Sequence, residues 1–102
     1  MNYRIVLSPD AQADIGSVIQ WYDRIDPKLA LRFRLEMRTT LRRITHLPHA
    51  FPIVANVFRR SVLNRFPYSV YYSVQLDVIN VRAVLHQRRG APVWLDRSNS
   101  LH

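Results

Sequence analysis

Two proline-marked helix starts, Ser8-Pro9 and Asp26-Pro27, constrain the fold of this chain more than any other feature of its sequence. In each, a short oxygen-bearing side chain stands where it accepts from an orphan N–H of the first turn. Proline follows where its fixed φ suits a helix and its missing N–H costs nothing. Asp10 adds a negative charge beside the positive end of the first helix dipole. Ala11, Ile15, Val18, Ile19 and Tyr22 then recur at helical spacing until the interruption from Asp23 to Pro27. A second helix is predicted from there to about Leu47, closed by Pro48. With so short a connection, the two helices must fold back on each other as an antiparallel hairpin.

The rest of the chain reads as strands. Tyr3 to Leu7 is a short strand-like run that feeds directly into the first helix, whereas His49 to Val57 has no period and contains Pro52. Phe58 to Phe66 alternates as a strand. After Pro67, Tyr68 to Val74 and Val78 to His86 form two β-rich runs around a Gln75-Leu76-Asp77 turn. The expectation is an α+β domain of order β-α-α-β-β-β, with the helix hairpin packed on a small, mostly antiparallel sheet. In the last strand Ile79, Val81, Ala83 and Leu85 share one face, the natural one to meet the helices. Asn80, Arg82, Val84 and His86 share the other. By the same alternation Tyr72 joins Val70 and Val74 in the core and Tyr71 faces outward.

A length of 102 residues fits one domain over 1–102, with about 98–102 as a frayed tail. The absence of cysteine excludes a disulfide framework, a thiolate zinc site and a cysteine nucleophile. No apolar run approaches the ~20 residues of a membrane span, and Ile5-Val6-Leu7 is too short for a signal peptide, so a soluble cytoplasmic protein is expected. His46 and His49 form an H-x-x-H pair, but Pro48 ends the helix between them and no third ligand lies near in sequence. No metal and no cofactor is expected, and there is no glycine-rich phosphate loop.

Fourteen of the fifteen cationic residues are arginine. The guanidinium fork suits bidentate contacts to phosphate or carboxylate, although a GC-rich genome produces the same bias. Placement is more informative than the total of +8. Residues 1–26 hold two arginines against four aspartates, a net of −2, and residues 27–102 hold thirteen cations against three carboxylates, a net of +10. Such a field attracts an acidic partner, whether nucleic acid or protein.

On the second helix, Leu29, Ala30, Phe33, Met37, Thr40, Leu41, Ile44 and Leu47 fall in one arc that should face the core. The opposite face carries Lys28, Arg32, Arg34, Glu36, Arg38, Arg42 and Arg43, with Leu31 and Leu35 one turn apart among them. Those two leucines are either scattered surface apolar residues, which are common, or an arginine-framed stripe that receives a partner chain.

Several pieces taken in order resemble a known family. They are Leu7-Ser8-Pro9, Arg59-Arg60 before Leu63, Phe66-Pro67-Tyr68 leading into Val70-Tyr71-Tyr72, and Val84-Leu85-His86 followed by Arg88-Arg89 and Trp94. This pattern, over about residues 3–97, resembles the ParE/RelE toxins of bacterial type II toxin-antitoxin systems and looks closer to the ParE, plasmid-stabilisation, branch. The resemblance implies a toxin that is neutralised by a cognate antitoxin with an acidic, flexible C-terminal tail, in a hetero-oligomer. ParE-like members poison DNA gyrase; RelE-like members cut messenger RNA on the ribosome.

For gyrase, the expected contacts are Arg60, Arg65, Arg82, His86, Arg88, Arg89, Trp94 and Arg97; for the antitoxin, they are Leu31, Leu35, Arg38 and Arg42. RNA cleavage would need a base, an acid and cations around the phosphate, for which Arg60, Arg82 and His86 are the candidates. A second acid or base is missing beside His86, and no strand carries a lysine. A binding-type inhibitor is therefore the leading expectation. A ribosome-dependent mRNA interferase is the alternative, and a small basic nucleic-acid-binding module is the reading that needs no resemblance.

Overall fold

The computed structural model describes residues 2–89. Strand β1 (Arg4–Leu7) leads into helix α1 (Pro9–Ile25), and α2 (Pro27–His46) follows. Both starts form as their caps dictate. The Ala11 N–H donates to Ser8 Oγ at 3.0 Å, and the Lys28 N–H donates to Asp26 Oδ1 at 3.0 Å. Asp26 serves both helices, because its own N–H donates to the Tyr22 carbonyl at 2.8 Å and closes α1. One extended residue thus separates the helices and forces the hairpin. The second helix stops at His46, with Leu47 as its cap.

Four more strands follow: β2 (Ile53–Ala55), β3 (Phe58–Val62), β4 (Tyr68–Gln75) and β5 (Val78–His86), then a 3-10 turn at Gln87–Arg89. They form one five-stranded sheet of order β1-β5-β4-β3-β2, in which β1 runs parallel to β5 and the other pairs are antiparallel. The segment read as irregular therefore contains a short edge strand, joined to β3 by Asn56 and Val57, with Asn56 at φ 53. The third strand ends at Val62 rather than Phe66.

The helices cover one face of the sheet. Ala11, Val18, Phe33, Met37 and Ile44 meet Leu63, Val70, Tyr72, Ile79, Val81 and Val84. Packed rings extend this core at one end, with half-buried Tyr22 and buried Phe33 lying 5.3 and 5.5 Å from half-buried Phe66. Two side chains hold the connection after α2 down on the sheet. The Tyr72 hydroxyl donates to the Pro48 carbonyl at 2.6 Å, and Arg59 Nη1 donates to the Phe51 carbonyl at 2.6 Å.

The alternation of β5 changes phase partway along. Tyr71 pairs with Ala83 but Tyr72 pairs with Val81, so Arg82 is an extra residue in a β-bulge. Ile79 and Val81 face the helices, and beyond the bulge Val84 does so instead of Ala83. Ala83 and Leu85 join Ala55, Phe58 and Tyr71 on the opposite face. This corrects the simple two-residue alternation, which put Ala83 and Leu85 with the helices and Val84 and His86 away from them. A single inserted residue reverses every later side chain. Tyr71 is also corrected, being fully buried on that second face.

The bulge coincides with the end of β1. Among the described residues no strand pairs with the outer edge of β5 beyond Leu7, and the Ser8 cap and Asp14 of α1 supply partners instead. Ser8 N–H donates to the Val81 carbonyl at 3.0 Å, Ser8 Oγ donates to the Arg82 carbonyl at 3.1 Å, and Asp14 Oδ2 accepts from Val84 N–H at 3.0 Å. Side chains of a helix thereby satisfy backbone groups that a strand would otherwise pair. Among the described residues, no helix is long and apolar enough to cross a membrane.

Candidate functional site

The sheet positions the residues that bear on chemistry, and it separates them. Arg60 lies on β3 opposite Tyr71, hence on the face away from the helices. His86 lies opposite Tyr68, and its ring packs edge-on against that tyrosine at 5.3 Å, on the helix side where the bulge has turned it. His86 Nδ1 accepts from the Arg88 N–H at 3.1 Å. A nitrogen that accepts carries no proton, so the neutral ring bears its hydrogen on Nε2. Arg82 is the exposed bulge residue, and Arg65 is exposed in the β3–β4 connection at φ 68. Arg60, Arg82 and His86 do not converge on one face around a common point.

Arg88 and Arg89 project from the 3-10 turn, which the Gln87 N–H ties to the Pro67 carbonyl at 2.8 Å. Trp94 and Arg97 lie outside the described residues. His49 packs edge-on to Tyr3 at 6.2 Å, and among the described residues no group of three histidines or carboxylates is placed to hold a metal.

Among the described residues three proton affinities are clearly shifted, each mainly through burial. Burial pushes Asp14 up from 3.8, with Asp10 acting in the same direction, against the Val84 hydrogen bond and Arg89. Tyr72 is pushed up to about 12 by burial, with Arg59 opposing, and Tyr22 is raised by burial and by Tyr68 beside it. Asp14 and Tyr72 both hold backbone groups in place, so these shifts mark architecture.

The outer face of α2 is more distinctive. Leu31 and Leu35 are 57% and 51% exposed, and they open into different clefts. Leu31 lines a groove of about 350 Å³ between the helices, with Ile19, Asp23, Ala30 and Arg34. Leu35 lines a cleft of about 310 Å³ between α2 and the β3–β4 connection, with Leu29, Arg32, Glu36, Arg65 and Phe66. A sequence-level stripe is thus a ridge with an apolar, arginine-edged hollow on either flank. Arg38 and Arg42 are exposed on later turns of the same helix. The contributions of Arg65 and Phe66 were not foreseen, because only tertiary packing brings that connection to α2. Trp21 and Ile25, one turn apart on α1, are also more than half exposed. Their helical spacing, outside the apolar set of α1, was the signal available.

The chain is thus a two-helix, five-strand α+β domain whose second helix presents half-exposed leucines beside arginines, of which Arg32, Arg34, Arg38 and Arg42 make no ion pair among the described residues. Comparison with known proteins identifies the family. The profile of the ParE toxin of the type II toxin-antitoxin system, parDE, matches residues 5–90, and the chain belongs to that family. Among solved structures, one titled "Chromosomal ParDE TA system from P. aeruginosa" is similar to this chain with a TM-score of 0.67 and 18% identity. The match covers 82% of this chain and 95% of the other, and at that identity it speaks to the fold alone. No curated protein sequence matches the chain.

Proposed function

We propose that this chain is the toxin of a toxin-antitoxin pair, that it arrests growth by binding and poisoning DNA gyrase in the cytoplasm, and that an acidic antitoxin neutralises it in a hetero-oligomer. Membership of the ParE family over residues 5–90 carries this reading. Geometry favours binding over cleavage, because Arg60 and His86 stand on opposite faces of the sheet. The proposed gyrase contacts are the basic groups Arg60, Arg65, Arg82, Arg88 and Arg89, with His86, Trp94 and Arg97. The proposed antitoxin contacts are Leu31, Leu35, Arg38 and Arg42.

The experiment is a supercoiling assay with purified protein, paired with primer-extension mapping of messenger RNA after induction. Inhibited supercoiling with DNA breaks in cells is expected. Untouched supercoiling at high excess would sink the gyrase reading, and messenger cuts on the ribosome would replace it with the interferase one. Binding to nucleic acid that is lost steeply with salt, without any toxicity, would leave only the basic-module reading.

A further inference from the structure

The arginines of this chain divide into those tied to the fold and those left facing water. Arg59 is tied, donating to the His49 and Phe51 carbonyls at 3.2 and 2.6 Å. So is Arg43, which lies 3.9 Å from Glu36 Oε2 and donates to Thr40 Oγ1 at 3.4 Å. Arg34, Arg38 and Arg42 are exposed and make no hydrogen bond or ion pair among the described residues. Asp23 lines the groove beside Arg34 without pairing with it.

These three arginines stand at positions i, i+4 and i+8 of α2, and His46 continues the series. Residues four apart are neighbours on a helix surface, separated by a rise of about 6 Å, so the three form a slightly inclined row about 12 Å long. Cations complement the negative end of a helix dipole, but only within the last turn. That accounts for Arg43 and His46. Arg34 and Arg38 lie in mid-helix and need another reason.

The surroundings of the row decide what it can hold. Leu31 and Leu35 belong to the first half of the helix. From Glu36 to His46 the exposed side chains are Arg38, Thr39, Arg42 and His46, with nothing apolar among them. An amphipathic peptide finds no anchor on that stretch, whereas a polyanion meets cations throughout. Evenly stepped guanidinium groups on a rigid helix match a ligand whose negative charges are evenly stepped too. Each strand of duplex DNA has one phosphate per about 3.4 Å of axis, so the row spans three or four of them. Arginine suits the role because its fork donates twice to one phosphate. A single strand would call for aromatic platforms, and α2 exposes no phenylalanine, tyrosine or tryptophan.

We propose that Arg34, Arg38 and Arg42 form a binding row for the phosphate backbone of duplex DNA, independent of base sequence. This goes beyond the toxin reading and does not rest on it, because bare DNA tests it without gyrase or antitoxin. On the gyrase reading, a chain held on DNA meets its DNA-bound target at a raised effective concentration.

The experiment is fluorescence anisotropy of the full chain with a short labelled duplex, between about 50 and 200 mM salt. Three phosphate contacts give a slope of about −2.7 in log K against log salt, a loss of at least about fortyfold over that range. Arg38→Gln with Arg42→Gln should flatten the slope by about 2 and raise the low-salt dissociation constant at least about tenfold. Arg38→Lys with Arg42→Lys keeps the charges and should keep the slope. Arg4→Gln with Arg24→Gln removes the same charge elsewhere and should flatten the slope by less than about half as much as the row pair. Glutamine preserves helix propensity at these exposed sites, and melting checks each variant. If the double variant unfolds, each single glutamine change should flatten the slope by about 1. A wild type that ignores the duplex overturns the proposal. So does a control pair that matches the row pair, or a lysine pair that loses as much as the glutamine pair. Tighter binding to single-stranded RNA overturns it as well, and displacement of the duplex by polyglutamate at equal charge would assign the row to an acidic protein instead. Failure here leaves the supercoiling result untouched, so the two readings fall separately.

Discussion

The Asp14 carboxylate accepts the Val84 amide N–H at 3.0 Å, joining residues 70 apart in sequence where the sheet's edge passes from a strand partner to a helix partner. That contact sits two residues beyond the Arg82 bulge and fixes the phase of the end of β5. It thereby decides that Val84 and His86 face the helices and that Ala83 and Leu85 do not.

Removing the carboxylate should expose the value of this joint. Asp14→Ala leaves the Val84 N–H without its acceptor, at a cost of about 1–3 kcal/mol, read as a lowered urea midpoint. Asp14→Asn keeps an acceptor oxygen and should cost less. The pH dependence has a definite sign. Burial raises the folded pKa of Asp14 above 3.8, so the folded chain binds this proton more tightly than the unfolded chain does. The associated stability is full below 3.8 and is lost as pH rises through the folded value. Relative to Asp14→Asn, the wild type should therefore gain stability as the solution is acidified across that window. A difference between the two proteins that does not vary with pH contradicts the assignment.

Tyr71 and Tyr72 are neighbours with opposite expectations. The Tyr72 hydroxyl donates to the Pro48 carbonyl at 2.6 Å, whereas the buried Tyr71 hydroxyl has no hydrogen-bond partner among the described residues. Tyr72→Phe strands a buried carbonyl and should cost about 1–2 kcal/mol, or roughly 4–16 °C in Tm for a domain of this size. Tyr71→Phe removes an unsatisfied group and should be neutral or stabilising. Tyr72 is also raised to about 12 from 10.0, so its contribution is full below 10 and is lost as pH rises toward 12. Alkaline unfolding of the wild type should therefore be steeper than that of Tyr72→Phe, as followed by circular dichroism.

How far the sequence discloses these relationships depends on the range of the interactions. The helix starts were legible because Ser8 and Asp26 cap residues two or three positions away. The core placement of Tyr72 followed from plain alternation with Val70 and Val74. The phase change in β5 was not legible, because the groups that stabilise it, Ser8 and Asp14, lie 74 and 70 residues from their partners. β2 has three residues after a proline and carries no periodic signal. At the candidate site, the exposure of Leu31 and Leu35 could be read from the helix face. Their division between two clefts could not, because it depends on where Arg65 and Phe66 come to rest.

Leu76 occupies the first position of the two-residue β4–β5 turn at φ 55 and is 89% exposed. A left-handed leucine has a steric penalty of roughly 1–2 kcal/mol, and its side chain recovers nothing by burial. Leu76→Gly or Leu76→Asn should therefore stabilise the fold by about 0.5–1 kcal/mol, seen as a higher denaturant midpoint with an unchanged slope. An unchanged or lower midpoint would mean that the turn is not strained as its geometry indicates.

The basic turn after β5 distinguishes binding from cleavage. Arg88 and Arg89 are exposed, and the Gln87 bond to Pro67 holds their turn even without His86. If they engage gyrase, Arg88→Glu with Arg89→Glu should raise the inhibitory concentration by at least about tenfold, since reversing rim charges slows encounter and opposes docking. His86→Ala removes the Arg88 acceptor and the ring contact with Tyr68, so it should lower Tm and weaken inhibition by less than the double reversal. With Nδ1 engaged by the Arg88 N–H and the ring packed on Tyr68, His86 acts as a positioning group for the basic turn. A folded His86→Ala variant that loses growth arrest entirely, alongside wild-type messenger cuts that vanish with it, would make His86 catalytic and move the chain to the interferase mechanism.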